Sequence, residues 1–179
     1  MKPRNKKELL KIIKEEIKKQ GNNADLNHID VSNVKDMSFL FYHSDFNGDI
    51  SQWDVSNVKY MVEMFRESKF DNDISKWNVS NVVNMEGMFM DSEFSCWGGD
   101  LSNWDTSNVW NMSSMFYNCG VEICDVVFWV REGKWKLPVD DLWNNFGVGI
   151  AAESLFEEPE SEEEIDYDEY YGGGTYLGW

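Results

Sequence analysis

Hydrophobic positions along residues 25–120 recur as whole blocks, each with the same order of apolar and polar sites. Four segments align: Ile29-Asp-Val-Ser-Asn-Val34, Trp53-Asp-Val-Ser-Asn-Val58, Trp77-Asn-Val-Ser-Asn-Val82 and Trp104-Asp-Thr-Ser-Asn-Val109. Three residues after each stands a methionine (Met37, Met61, Met85, Met112), followed by the pairs Leu40-Phe41, Met64-Phe65, Met88-Phe89 and Met115-Phe116. Linking segments lead on through Gly48-Asp-Ile, Asn72-Asp-Ile and Gly99-Asp-Leu. The spacing is 24 residues from Val31 to Val55 and from Val55 to Val79, and 27 from Val79 to Thr106. The three extra residues fall in the connection around Cys96-Trp-Gly98. A period of this size is too long for a heptad and too short for a paired-helix repeat, and it lies within the leucine-rich-repeat range of roughly 20–29 residues.

Apolar residues at fixed offsets stack on their own counterparts one unit along, so neighbouring units bury what no single unit could bury alone. Asn33, Asn57, Asn81 and Asn108 are polar yet equally fixed. They are expected to form a ladder of side-chain amides bonded to the backbone of adjacent turns. A row of ligand-binding amides is the alternative.

Both flanks have the features of caps. Asn5 with Glu8 three residues later opens a helix, Leu9, Leu10, Ile12, Ile13 and Ile17 form its apolar stripe, and Gly21 ends it. After Gly120 the repeat frame is lost. Residues 126–130 and 135–137 read as two strands around a turn, and Pro138 opens a short helical segment carrying Val139, Leu142, Trp143 and Phe146. The organisation expected is an N-terminal capping helix over 1–24, repeats over 25–120, a mixed C-terminal cap over 121–156, and a tail over 157–179.

The repeated residues resemble the BspA-like leucine-rich repeat family, whose units read much like DISxWDVSNVxxMxxMFxxxxxFN. The resemblance covers about residues 25–120, and the lysine- and glutamate-rich lead-in looks like the start of short cytosolic and phage-borne members. It implies an α/β repeat solenoid of about four rungs. It also implies a place among adhesins and partner-binding modules rather than one defined activity.

The chain of 179 residues has 16 Lys and Arg against 33 Asp and Glu, a net charge of −17. Residues 1–20 hold eight basic and three acidic side chains, whereas residues 157–170 hold nine acids and no base. An acidic body disfavours direct contact with nucleic acid or anionic membrane, and no apolar run approaches the roughly 20 residues of a membrane span. Cys96, Cys119 and Cys124 are odd in number and lack a framework pattern, which suits free thiols in a reducing compartment, here a cytoplasm. Cell surface or virion is the alternative setting.

Catalytic chemistry is not indicated. His28 and His43 have no second ligand at metal spacing, and no phosphate loop or nucleophile motif occurs. The recurrent carboxylates Asp30, Asp54 and Asp105, with Asn78 in the fourth place, and the column Asp49, Asp73 and Asp100 fit turn caps better than calcium ligands. No enzyme, metal or cofactor is expected.

A repeat protein binds through positions that its repeat leaves free. Lys35, Lys59, Val83 and Trp110 occupy one such column, passing from charged to aromatic, with Tyr60 and Val62 beside it. The expected partner-binding residues are Tyr60, Val62, Val83 and Trp110 on the repeats and Tyr167, Tyr170, Tyr171, Tyr176 and Trp179 in the tail, where an acidic stretch and three glycines precede an aromatic end. Trp110 packed under the C-terminal cap is the competing expectation. The function expected is a non-catalytic protein-binding module, phage- or mobile-element-encoded, acting on a host or virion protein. An acidic nucleic-acid mimic that occupies a defence protein and a surface adhesin fragment are the alternatives.

Overall fold

In a computed structural model, residues 1–95 and 99–121 are described; the insertion at 96–98, the expected C-terminal cap and the tail lie outside them. The chain starts with helix α1, Lys6–Gln20. Asn5 caps it by accepting the Glu8 amide at 3.1 Å, and the Glu8 carboxylate reaches back to the Arg4 amide at 2.9 Å. Gly21, at φ +85°, ends it by donating to the Ile17 carbonyl at 2.8 Å. Leu9 and Ile13 are buried against the first repeat, with Leu10, Ile12 and Ile17 partly buried beside them. Lys2 and Lys6 fasten this cap to the same rung through Asp30 at 2.8 Å and Asp36 at 2.7 Å.

The repeats do not build the α/β solenoid expected from the sequence. Among the described residues there is one α-helix, one 3₁₀ turn at Leu101–Asn103, and no strand or sheet. Successive units touch instead through isolated parallel bridges: Asp25 with Asp49, Asp36 with Tyr60, Tyr60 with Asn84, Asn84 with Asn111, and Ser95 with Gly120. The rungs are made of tight turns, and residues 37–43 show why no strand forms. The amides of Met37, Phe39, Phe41 and His43 donate to the next rung, to the carbonyls of Tyr60, Val62, Met64 and Arg66, all at 2.9 Å. The amides of Leu40 and Tyr42 instead close turns within the rung, onto Met37 and Phe39, and the Ser38 amide is taken by the Asp36 side chain. Every donor is satisfied, but only alternate ones run between rungs. Left-handed residues enforce the alternation: Phe39, Glu63, Gly87 and Ser114 form one column of positive φ, and His43, Glu67, Asp91 and Asn118 form another. A left-handed residue at every fourth position interrupts any extended run.

The interior is a set of columns. Phe41, Phe65, Phe89 and Phe116 stack with centroids 5.5, 5.6 and 5.9 Å apart. Phe46, Phe70 and Phe94 stack beside them at 6.3 and 6.4 Å. Trp53, Trp77 and Trp104 are buried, and each indole N–H donates to a carbonyl one unit back, of Leu26 (2.9 Å), Ile50 (3.1 Å) and Ile74 (3.2 Å). The asparagines form the second polar ladder: Asn57, Asn81 and Asn108 donate to the carbonyls of Ser32, Ser56 and Ser80 at 3.0, 2.8 and 2.7 Å. Gly48 is required by close approach, since a Cβ there would lie 2.1 Å from the Ala24 carbonyl oxygen.

Candidate binding face

The stack has one wall with a character of its own. It is formed by the part of each unit from the residue before the bridge to the second left-handed residue: 35–43 in the first unit, then 59–67, 83–91 and 110–118. In residues 35–43 the turns bury Met37, Ser38, Leu40 and Phe41 and leave Lys35, Phe39, Tyr42 and His43 exposed.

Lys35, Lys59, Val83 and Trp110 do form one column, joined by backbone bonds from Lys59 to Lys35 (2.8 Å), Val83 to Lys59 (2.9 Å) and Trp110 to Val83 (3.0 Å). Trp110 is the most exposed large apolar residue among the described residues, at 67%, and the cap under which it was alternatively expected to pack lies outside them. Tyr60 lies on the bridge column and is exposed, whereas Val62 and Val83 are half-buried. The tail residues Tyr167, Tyr170, Tyr171, Tyr176 and Trp179 lie outside the described residues.

Three aromatic side chains that sequence reasoning passed over share this wall: Phe39, Tyr42 and Tyr117. Phe39 and Tyr42 meet edge to face at 6.2 Å, and Phe39 holds its left-handed φ of +61° while half exposed. Apart from Met1, every exposed large apolar side chain among the described residues belongs to the wall. The available signal was an aromatic residue at a repeat position that its counterparts fill with Glu63, Gly87 and Ser114, or with Arg66 and Met90. A frame-fixed core has no use for it there.

The wall carries both signs, with Lys35 and Lys59 in the first two rungs and the acids Glu86 and Asp91 without a base in the third. Arg66 is clasped by Glu63 at 3.0 Å and Glu67 at 3.4 Å, and the Glu63 hydrogen bond in particular stabilises its charged form. His43 Nδ1 lies 3.1 Å from Glu67. Further along, Glu86 accepts from the Asn111 amide at 3.0 Å and Asp91 from the Asn118 amide at 2.9 Å.

The carboxylate columns away from the wall are occupied with turns. Asp30, Asp54, Asn78 and Asp105 each accept the amide of the serine two residues on, as do Asp49, Asp73 and Asp100. Lys2, followed by the Ser32 hydroxyl and amide, holds the Asp30 carboxyl down at about 2. His28 lies 3.9 Å from Glu16. Among the described residues, no group of three His, Cys, Asp or Glu side chains is placed to hold a metal ion, and no helix is long and apolar enough to cross a membrane. Cys119 donates its thiol to the Phe116 carbonyl, and burial raises its pKa to about 11, which suppresses the reactive thiolate.

The profile of one protein family, described as Mycoplasma protein of unknown function, DUF285, matches residues 10–126, well over half of the chain. The chain belongs to the DUF285 family. The match to DUF285 starts within α1 and runs through all four units. Comparison with curated proteins and with solved structures gave no match.

Proposed function

We propose that this DUF285 protein is a non-catalytic protein-binding module and a short BspA-like member of its family. In this reading it is phage- or mobile-element-encoded and acts inside the host cell on a host or virion protein. The observation that carries the reading is the segregation of exposed aromatic residues. Phe39, Tyr42, Tyr60, Trp110 and Tyr117 all fall on one wall, although nothing in the packing of the core requires a large ring at any of these positions. Clustered exposed aromatics are the usual anchors of protein interfaces.

The test replaces wall residues with the residue found at the matching place of another rung, which leaves the frame intact. Phe39→Gly copies Gly87, Tyr60→Asn copies Asn84 and Trp110→Val copies Val83. Proteins captured from host lysate by the full chain are compared with those captured by this triple variant, folding being checked by circular dichroism. A defined partner lost on substitution supports the reading. An identical capture profile for the two chains refutes it.

A further inference from the structure

We infer that the wall takes an arginine- or lysine-rich polypeptide segment as its ligand, an inference that rests on the protein-binding reading above. The first argument is the mixture of side chains. Rings exposed on a neutral surface suit an apolar partner; Lys35 and Lys59 lie on the first two rungs and Glu63 and Glu67 are paired with Arg66, but at the far end the rings Trp110 and Tyr117 stand with Glu86 and Asp91 and no base. A cation seated among them meets a carboxylate and a ring face together.

The second argument is that the chain already places one guanidinium on this wall. Arg66 occupies the place that Tyr42 holds one rung earlier, and two carboxylates grip it. In the next two rungs the same place holds Met90 and Tyr117. There Glu86 and Asp91 are bonded to the neutral amides of Asn111 and Asn118, which leave their charges uncompensated. Trp110 and Tyr117 stand exposed on the fourth rung beside them. This end of the wall keeps one of the two acidic places around Arg66, Asp91 in the column of Glu67, and sets Glu86 beside Gly87, which fills the column of Glu63; it has no cation of its own, and an incoming arginine supplies one. A net charge of −17 draws such a segment in, while the local arrangement decides where it rests.

The experiment titrates the full chain into a fluorescein-labelled oligo-arginine peptide at physiological salt and reads anisotropy. Two variants remove the same number of charges. Glu86→Gln with Asp91→Asn acts on the wall, the second change copying Asn118. Glu15→Gln with Asp54→Asn acts away from it, the second change copying Asn78. A third variant, Trp110→Val with Tyr117→Met, removes the rings and copies Val83 and Met90. The wall-charge and ring variants are expected to weaken binding about tenfold each, and the remote variant less than about twofold. Equal weakening by both charge variants means attraction by the overall field alone and overturns the inference, as does indifference to the loss of the rings. Concentration-dependent self-association that the wall variants abolish, with the α1 lysines of a second copy as occupant, also overturns it. Loss of partner capture by the triple variant, combined with oligo-arginine binding indifferent to the wall, keeps the protein-binding reading and refutes this one.

Discussion

Phe65 is the side chain on which the stack depends most, and its removal tests whether the aromatic columns hold the rungs together. The residue is fully buried. Its ring lies 5.5 Å from Phe41 on one side and 5.6 Å from Phe89 on the other, both within 1° of parallel, and 4.3 Å from Phe70 within its own rung. Truncation of a buried phenylalanine to alanine costs about 3–5 kcal/mol through lost transfer energy and residual cavity. Phe65→Ala belongs at the upper end of that range, because stacked neighbours on both sides are tied to their own backbone ladders and cannot collapse into the space. Each ring pair adds about 0.5–1.5 kcal/mol beyond area burial, so a double-mutant cycle between Phe65→Leu and Phe89→Leu should show coupling of that size. Since whole domains are stable by only about 5–15 kcal/mol, Phe65→Ala should lose much of the stability. It should also lower the urea m-value, as rungs on the two sides melt separately. Urea titration followed by tryptophan fluorescence and far-ultraviolet circular dichroism measures all three quantities. A cost below about 1.5 kcal/mol, or additivity of Phe65 and Phe89 within about 0.3 kcal/mol, refutes the argument that columns rather than single rungs carry the fold.

Other substitutions test separate parts of the account. Thr106 fills the place held by Val31, Val55 and Val79, and its buried hydroxyl has no hydrogen-bond partner; Thr106→Val should raise stability by about 1–2 kcal/mol in the same titration. Gly48→Ala should lower it by about 1–3 kcal/mol through the clash with the Ala24 carbonyl, and an unchanged midpoint would disprove that close approach. Asn81→Ala leaves the Ser56 carbonyl without its amide and should cost about 0.5–1.5 kcal/mol; no loss would mean the ladder only decorates the surface. The folded-state pKa of Asp30 is depressed from 3.8 to about 2, with Lys2 as the largest cause, so its contribution is present above about pH 4 and lost as pH falls through about 2. The melting temperature of Lys2→Met should therefore depend less steeply on pH between 4 and 2 than that of the wild type.

Much of the stack was legible in the amino-acid sequence because a repeat writes each contact several times. The columns of Trp53, Trp77 and Trp104 and of Phe41, Phe65, Phe89 and Phe116, the asparagine ladder and the turn-capping aspartates are all residues whose offset never changes. A residue held at one offset must meet its own copies. The start and end of α1 were equally plain, since Asn5, Glu8 and Gly21 act on the backbone within a few residues of themselves. Part of the candidate face could be read too, because Tyr60 and Trp110 break the frame.

Only the tertiary structure decided how the backbone travels between those fixed points. A period of 24 residues is compatible with strands, helices or turns. The choice fell to turns because side chains as varied as Phe39, Glu63 and Ser114 adopt left-handed φ, a conformation that Gly87 announces plainly, His43, Asp91 and Asn118 only weakly, and those first three not at all. Alternate amides are thereby diverted inside the rung, and the strands implied by family resemblance do not form. The same backbone path gathers Phe39, Tyr42 and Tyr117 with Tyr60 and Trp110 on one wall. Their proximity depends on which side chains a left-handed turn points outward, a property of the assembled coil rather than of the local sequence.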